Sequence, residues 1–226
     1  MNRREFVAST LAGVVGLTHV SRLVGQGKTL APDLLGLAEA KTLKLFNRAA
    51  SPLVDGARKG VRLSEAAGEG GAFLPDIEFS SGTIEFDVRG KDVAQQSFVG
   101  VAFHAVDAGT CDAVYFRPFN FRAGDPASRS HAVQYHSLPT YTWQRLRTDY
   151  PGKYEQAVSP VPDPTAWFHA RVLVANAKVT VFVADAKEPC LVVDALNNRK
   201  AGLVGLWVGN NSGGDFANLT ITHAAG

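Results

Sequence analysis

Thr83-Ile84-Glu85-Phe86-Asp87-Val88-Arg89 alternates residue by residue between apolar and charged side chains. A period of two puts Ile84, Phe86 and Val88 on one side of an extended chain and the charges on the other, the pattern of a half-buried strand. Val99-Gly100-Val101-Ala102-Phe103-His104 repeats it, with Val99, Val101 and Phe103 inward and small residues, then His104, opposite. Working outward, further strands are expected at Ala113 to Arg117, Ala132 to His136, Phe168 to Val174, Val179 to Val183, Gly202 to Val208 and Phe216 to Thr222. Turn residues separate them, as in Gly90-Lys91-Asp92, Asn197-Asn198 and Asn210-Asn211-Ser212-Gly213-Gly214. About eight to eleven short strands with almost no helical periodicity predict an all-β, two-sheet antiparallel β-sandwich. Residues 33–46 fit one short helix or an irregular entry segment.

The 226 residues suffice for one such domain with a full core, and no internal repeat or Gly/Ser linker divides them. A net charge of +2 is too small to argue for nucleic acid or an anionic membrane surface as partner. Asn2-Arg3-Arg4-Glu5-Phe6-Val7 followed by a weakly apolar run to Val20 has the form of a twin-arginine export signal. That run is too short and too rich in Gly, Ser and Thr to span a bilayer. Residues 1–30 therefore read as a leader and 31–226 as a single domain of a periplasmic or secreted protein, with no integral membrane span in the mature chain. The mature start falls between Ser21 and Ala31. The alternative is a disordered basic tail on a cytoplasmic protein. Cys111 and Cys190 are the two cysteines, and a disulfide or two separate thiols are equally compatible with their spacing. No CxxC or Cys/His cluster suggests structural zinc.

The connection from Phe119 to Tyr154 is long, rich in Arg, Tyr, His, Gln and Trp, and has room for one short strand. Loops of that length in a compact domain are often functional. Just before and within it, Tyr115 and Arg117 share one side of an extended chain and Phe116 takes the other, while Pro118 marks an edge, bulge or strand end. Beyond it, Asn120 and Arg122 share a face opposite Phe119 and Phe121. Planar polar groups beside an aromatic ring are what a sugar site needs, since hydroxyls take paired hydrogen bonds and the C–H face of the ring stacks. Paired arginines on a sheet surface would look the same. Gln134 and His136 share a face, and a neutral imidazole there suits a base or a sugar ligand, or a hydrogen-bonded structural group. Trp143 reads as a stacking platform or as the plug that pins the loop. Trp167 reads as core. Trp207 and His104 point away from the core, as a concave binding face requires.

Gly82 to Gly90, Phe98 to Phe103, Tyr115-Phe116-Arg117-Pro118-Phe119-Asn120-Phe121, Gly205 to Asn210 and Gly214-Asp215-Phe216 together resemble the 3-keto-disaccharide hydrolase domain family. The resemblance covers most of residues 43–223 and implies a concanavalin A-like jelly roll, related by fold to family 16 glycoside hydrolases and laminin-G-like lectins. Family 16 enzymes carry Glu-x-Asp-x-(x)-Glu on one strand. Glu85-Phe86-Asp87 supplies the first half, but Arg89 and Gly90 stand where the second Glu belongs. A retaining glycosidase needs two carboxyl groups ~5 Å apart, so that mechanism is rejected.

The resemblance instead implies cleavage of a keto-glycoside by elimination through an enolate, followed by hydration. Such chemistry asks for one base, His104, His136 or Glu155, and for a cation at the enolate oxygen, Arg117 or Arg122, or a divalent ion held by His and carboxylate. The expected substrate-binding residues are Tyr115, Arg117, Asn120, Arg122, Gln134, Trp143 and Trp207. The expected partner is a carbohydrate or small glycoside. A non-catalytic, lectin-like module built on the same face is the competing reading, and a self-satisfied structural network is the third.

Overall fold

A computed structural model describes residues 27–225, so the twin-arginine stretch lies outside the described residues. The first strands in chain order are β1 (Thr29–Leu30), β2 (Lys44–Phe46), β3 (Ala50–Asp55), β4 (Arg58–Leu63), β5 (Gly70–Phe79) and β6 (Gly82–Arg89). There follow β7 (Val99–Asp107), β8 (Thr110–Phe116), β9 (Val133–Ser137) and β10 (Glu155–Gln156). The last are β11 (Phe168–Ala175), β12 (Lys178–Val183), β13 (Leu191–Asp194), β14 (Gly202–Val208) and β15 (Gly214–His223). One antiparallel sheet runs β13-β12-β11-β6-β15-β4-β3 with β1 beside β15, and the other runs β10-β9-β8-β7-β14-β5-β2. Ile84, Phe86 and Val88 from the first sheet meet Val99, Val101, Val114, Phe116, Leu206 and Val208 from the second in one buried core. The expected all-β sandwich is what folds.

Helices α1 (Leu34–Glu39), α2 (Pro118–Phe121), α3 (Pro126–Arg129) and α4 (Trp143–Asp149) complete the chain. The first fills the expected entry segment, started by Asp33, whose carboxylate accepts from Gly36 N. The other three lie in the long connection, where the only extended segment is β9. The alternation expected across Phe119–Arg122 fails because Pro118 sits in the first turn of α2, where its fixed φ favours a helix start. Phe121 is buried against Phe168, while Arg122 turns outward to Asp163.

The expectation that Trp167 is core is corrected, and the open question of the cysteines is answered. Thr29 and Leu30, at the end of the segment read as a leader, pair with Thr222 and Ile221. Cys111, on β8, and Cys190, beside β13 in the other sheet, are free thiols, and burial pushes each up to about 12. Trp167 is half-buried on the outer face of the β6 sheet, between the guanidinium groups of Arg58 and Arg89, and donates to Asp55 at 2.9 Å. Among the described residues no helix is long and apolar enough to cross a membrane.

Candidate functional site

Strand pairing lays two rows of side chains across the outer face of the β7–β8 sheet. The first runs Glu155, Gln134, Tyr115, Gly100, Trp207, Gly71, Phe46. The second runs His136, Ala113, Ala102, Gly205, Phe73, Lys44. Small residues alternate with large rings, which lets the rings lie down on the sheet. A Cβ at Gly100 would fall 2.0 Å from Val114 O and 2.9 Å from Tyr115 Cβ, so only glycine fits there. Tyr115 and Trp207 lie with ring centroids 4.8 Å apart, and His136 sits 5.3 and 5.2 Å from them.

Above this floor opens a cleft of about 430 Å³, walled on one side by Arg117, Asn120, His131, Trp143 and Arg147 and on the other by Glu69, Gly209 and Asn210. Its size is that of an ordinary small-ligand site. The long connection supplies the first wall. Leu146 of α4 is buried and anchors the helix, so Leu146 and not Trp143 is the plug. Trp143 is left 40% exposed at the rim, where it stacks with Arg147 at 5.2 Å. Thr142 starts α4 by accepting from Arg145 N.

Beneath the first wall lies a buried polar network. Arg117 donates to His131 O at 2.7 Å, to Tyr115 Oη at 3.0 Å and to Gln134 Oε1, and Tyr115 donates to Gln134 Oε1 at 2.7 Å. Glu155 is held by both guanidinium arms of Arg147 at 2.8 and 2.6 Å. Arg117 Nη1 and His131 Nδ1 lie 3.7 and 2.9 Å from its Oε2. Burial pushes the Glu155 carboxyl up, but the Arg147 pair, with His131 and Arg117, outweighs burial and holds it below the ordinary range. It is a charge-neutralised anchor. His136 is fully enclosed; burial pushes it down to about 4, so its ring is neutral at physiological pH. Both its nitrogens, with Gln134 Nε2, Trp207 Nε1 and, at the wall, His131 Nδ1, are buried without a hydrogen-bond partner. Such orphaned groups are uncommon in folded proteins.

The structure thus brings together Tyr115, Arg117, Asn120, Gln134, His136, Trp143, Glu155 and Trp207, and separates two of the expected residues. Arg122 pairs with Asp163 on the surface. His104 is displaced because β7 breaks register between Phe103 and Asp107 and His104 itself takes φ 48°. Its ring turns to the end of the core, bonding Ser80 O at 2.7 Å and Asp112 at 3.2 Å. Asp112 also accepts from Tyr135, Asn197 and Arg199. Burial pushes Asp112 up, but His104, Asn197, Arg199 and Ser137 outweigh it and hold the carboxyl below the ordinary range. Among the described residues no group of three or more His, Cys, Asp or Glu could hold a metal ion, and the cleft's donor set does not fit one. Glu69, His131 and Arg147 line the cleft unforeseen by sequence reasoning. Glu69 lies in a Gly-rich stretch that reads as a turn, and His131 stands beside the expected strand Ala132–His136.

No family model matches the chain, and no curated protein matches it. Solved structures do. A Bacillus subtilis protein of unknown function with a galectin-like fold superposes with a TM-score of 0.58 at 11% identity, covering 88% of this chain and 97% of that one. The carbohydrate-binding module CBM66 from Bacillus subtilis gives 0.53 at 12% identity, covering 78% and 96%. The fold is a concanavalin A-like jelly roll. Bacillus licheniformis β-glucanase gives 0.50 at 12% identity, covering 88% and 93%. At such identities these likenesses speak for the fold alone.

Proposed function

We propose that this chain is an exported carbohydrate-binding protein, periplasmic or secreted, whose site is the concave cleft. The observation that carries the reading is Trp143, 40% exposed at the rim beside the Arg117–Asn120 wall, above a floor in which Tyr115 and Trp207 lie packed together. A pyranose presents an apolar C–H face to stack and a ring of hydroxyls to pair, and this cleft offers both surfaces side by side. A carbohydrate-binding module and a β-glucanase among the structural neighbours support the reading. Calorimetry and thermal shift against a panel of mono- and disaccharides test it. Saturable binding weakened about tenfold by Trp143→Ala is expected; no response to any sugar sinks it.

A catalytic reading has its own observation. His131 lines the cleft with Nδ1 2.9 Å from the anchored Glu155, close to it but outside hydrogen-bond geometry, so an imidazole and a carboxylate stand side by side at the cleft wall. His104 and His136 lie out of reach, and Glu155 serves as positioning group. On a 3-keto-glycoside, the substrate class the family resemblance implies, His131 would take the C2 proton. The C2–H electrons would form the C1–C2 double bond as the C1–O bond breaks, and the departing oxygen would collect a proton. Water then adds across the double bond. His131→Asn should abolish product release while leaving binding within about twofold; release undiminished in that variant overturns this second reading.

A further inference from the structure

The wall opposite the arginines is built around Arg48. This guanidinium is 7% exposed and has no carboxylate partner among the described residues. Its nitrogens donate instead to four backbone carbonyls: Ser212 O at 3.0 Å, Gly209 O and Gly68 O at 2.7 Å each, and Asn47 O. Asn47 adds bonds to Ala67 O and Glu69 O at 2.8 Å, and Asn210 Oδ1 accepts from Gly68 N at 2.7 Å. Three loops, 47–48, 66–70 and 209–212, are tied to one another by these bonds. Gly70 is obligatory in this arrangement, since a Cβ there would lie 2.5 Å from Arg48 Nη1. A buried guanidinium spent wholly on carbonyl oxygens is costly unless the geometry is complete, and what it holds in place is the backbone of Glu69.

Glu69 is the one carboxyl that lines the cleft. Among the described residues its carboxylate has neither a hydrogen bond nor an ion pair, in contrast to Asp87, Asp112, Glu155 and Asp215. Solvent reaches it, yet the protein crowding the concavity pushes its carboxyl up, with burial the only cause. Facing it across the cleft are Arg117, Arg147, His131 and Tyr115, with Arg48 behind. The cleft is therefore polarised, with an acceptor wall at Glu69 and a donor wall at the arginines. A cationic ligand would be repelled by the guanidinium wall and an anionic one by Glu69. An uncharged polyol meets both, donating hydroxyl hydrogens to Glu69 and offering an oxygen to Arg147, whose Nη1 is left over from its pair with Glu155.

Resting on the carbohydrate reading above, we infer that Glu69 is the specificity-determining contact of the cleft, and that it selects an uncharged glycoside by accepting hydrogen bonds from two adjacent hydroxyls. Carboxylates accept such bonds in pairs, and a charged acceptor is about twice as strong as a neutral one. Protonated Glu69 can accept less and must donate, so affinity falls as pH drops through its raised value. Glu155 stays ionised across that window.

The test is calorimetry on the full chain with neutral disaccharides, glucosamine and glucuronate, between pH 4 and 8 on the scale where carboxyl and imidazole groups titrate. The variant is Glu69→Gln, which keeps the size and one acceptor, with its melting temperature as control for folding. The expected result is preference for a neutral sugar, a loss of about tenfold at pH 7 in Glu69→Gln, and an acid-side loss of affinity in the wild type that is absent from the variant. Wild-type affinity in a folded Glu69→Gln, an acid-side loss of equal size in both proteins, or preference for either charged sugar overturns the inference while the carbohydrate reading stands. Silence of the wild type toward every sugar overturns both.

Discussion

The two outer faces of the sandwich use the same residue types to opposite ends. On the β6 sheet, Asp215 is clamped by Arg62 at 2.6 Å and Arg89 at 2.7 Å, and Arg89 reaches on to Asp55 at 2.6 Å. Asp87 accepts from Arg58 and Asn218 and lies 2.9 Å from His169 Nδ1, while Trp167 stacks between Arg58 and Arg89. These carboxylates and guanidiniums are matched to one another. On the β8 sheet, Arg117, Gln134 and Glu155 are matched as well, but His136, Gln134 Nε2 and Trp207 Nε1 are not, and Glu69 stands alone. Polar groups that satisfy each other make a surface, and groups left wanting beside an aromatic floor make a site. The Glu85-x-Asp87 half-motif lies on the wrong face altogether, in the satisfied network and across the core from the cleft.

The contrast can be broken by substitution. Asp215→Ala strips two guanidiniums of a carboxylate that is 8% exposed. It should cost about 2–3 kcal/mol of stability in denaturant titration, discounted for the open side of Arg62, with sugar affinity unchanged in the folded fraction. Tyr115→Phe should do the reverse. It removes the hydroxyl shared with Arg117 and Gln134, and is expected to lower sugar affinity by about tenfold for about 1 kcal/mol of stability. Equal effects of both variants on both readouts would erase the distinction between the faces.

A finer test uses pH. The hydrogen bond to Asp87 raises His169 above its unfolded value despite partial burial. Its stabilisation is therefore complete below the unfolded imidazole value and is lost as pH rises through the higher folded one. Asp87 runs the other way: burial pushes it up, but His169, Asn218 and Arg58 hold it lower, so its contribution is lost as pH falls through the depressed value. His169→Ala should destabilise by about 0.5 kcal/mol in mild acid and by nothing measurable in mild alkali, given the exposure of the pair. A constant difference across pH would mean that packing, not charge, is what His169 contributes. The smallest effect is expected at the cysteines. Both should titrate as free thiols in denaturant without reductant, and reduction should leave the melting temperature where it was.

How far the sequence could be read depended on whether periodicity survived locally. Thr83–Arg89 and Phe168–Val174 alternate cleanly, and each is a strand at the expected place, as is Gly202–Val208 despite a register break at Leu203. The β3–β4 hairpin carried no such signal, with Pro52 in its first strand, and neither did β5, where Asp76 takes φ 56° and the register against β14 shifts. His104 misled for the same reason, since a single break in register carries a side chain from one face to the other. Trp167 was a different failure: an aromatic at a strand start satisfies burial equally well between arginine stems as in a core.

The sequence by itself determined the architecture, because a period of two repeated over many short segments has few solutions other than two packed sheets. It also marked Tyr115, Arg117, Gln134 and Trp207, because alternation alone tells which residues leave the core. Only the tertiary structure decided that Glu155 is neutralised by Arg147, that His136 is sealed against two rings, and that Glu69 meets the arginines across a cleft. Those facts depend on which strands pair and where loops far apart in the chain come to rest, and burial and charge are properties of such neighbours rather than of any residue alone.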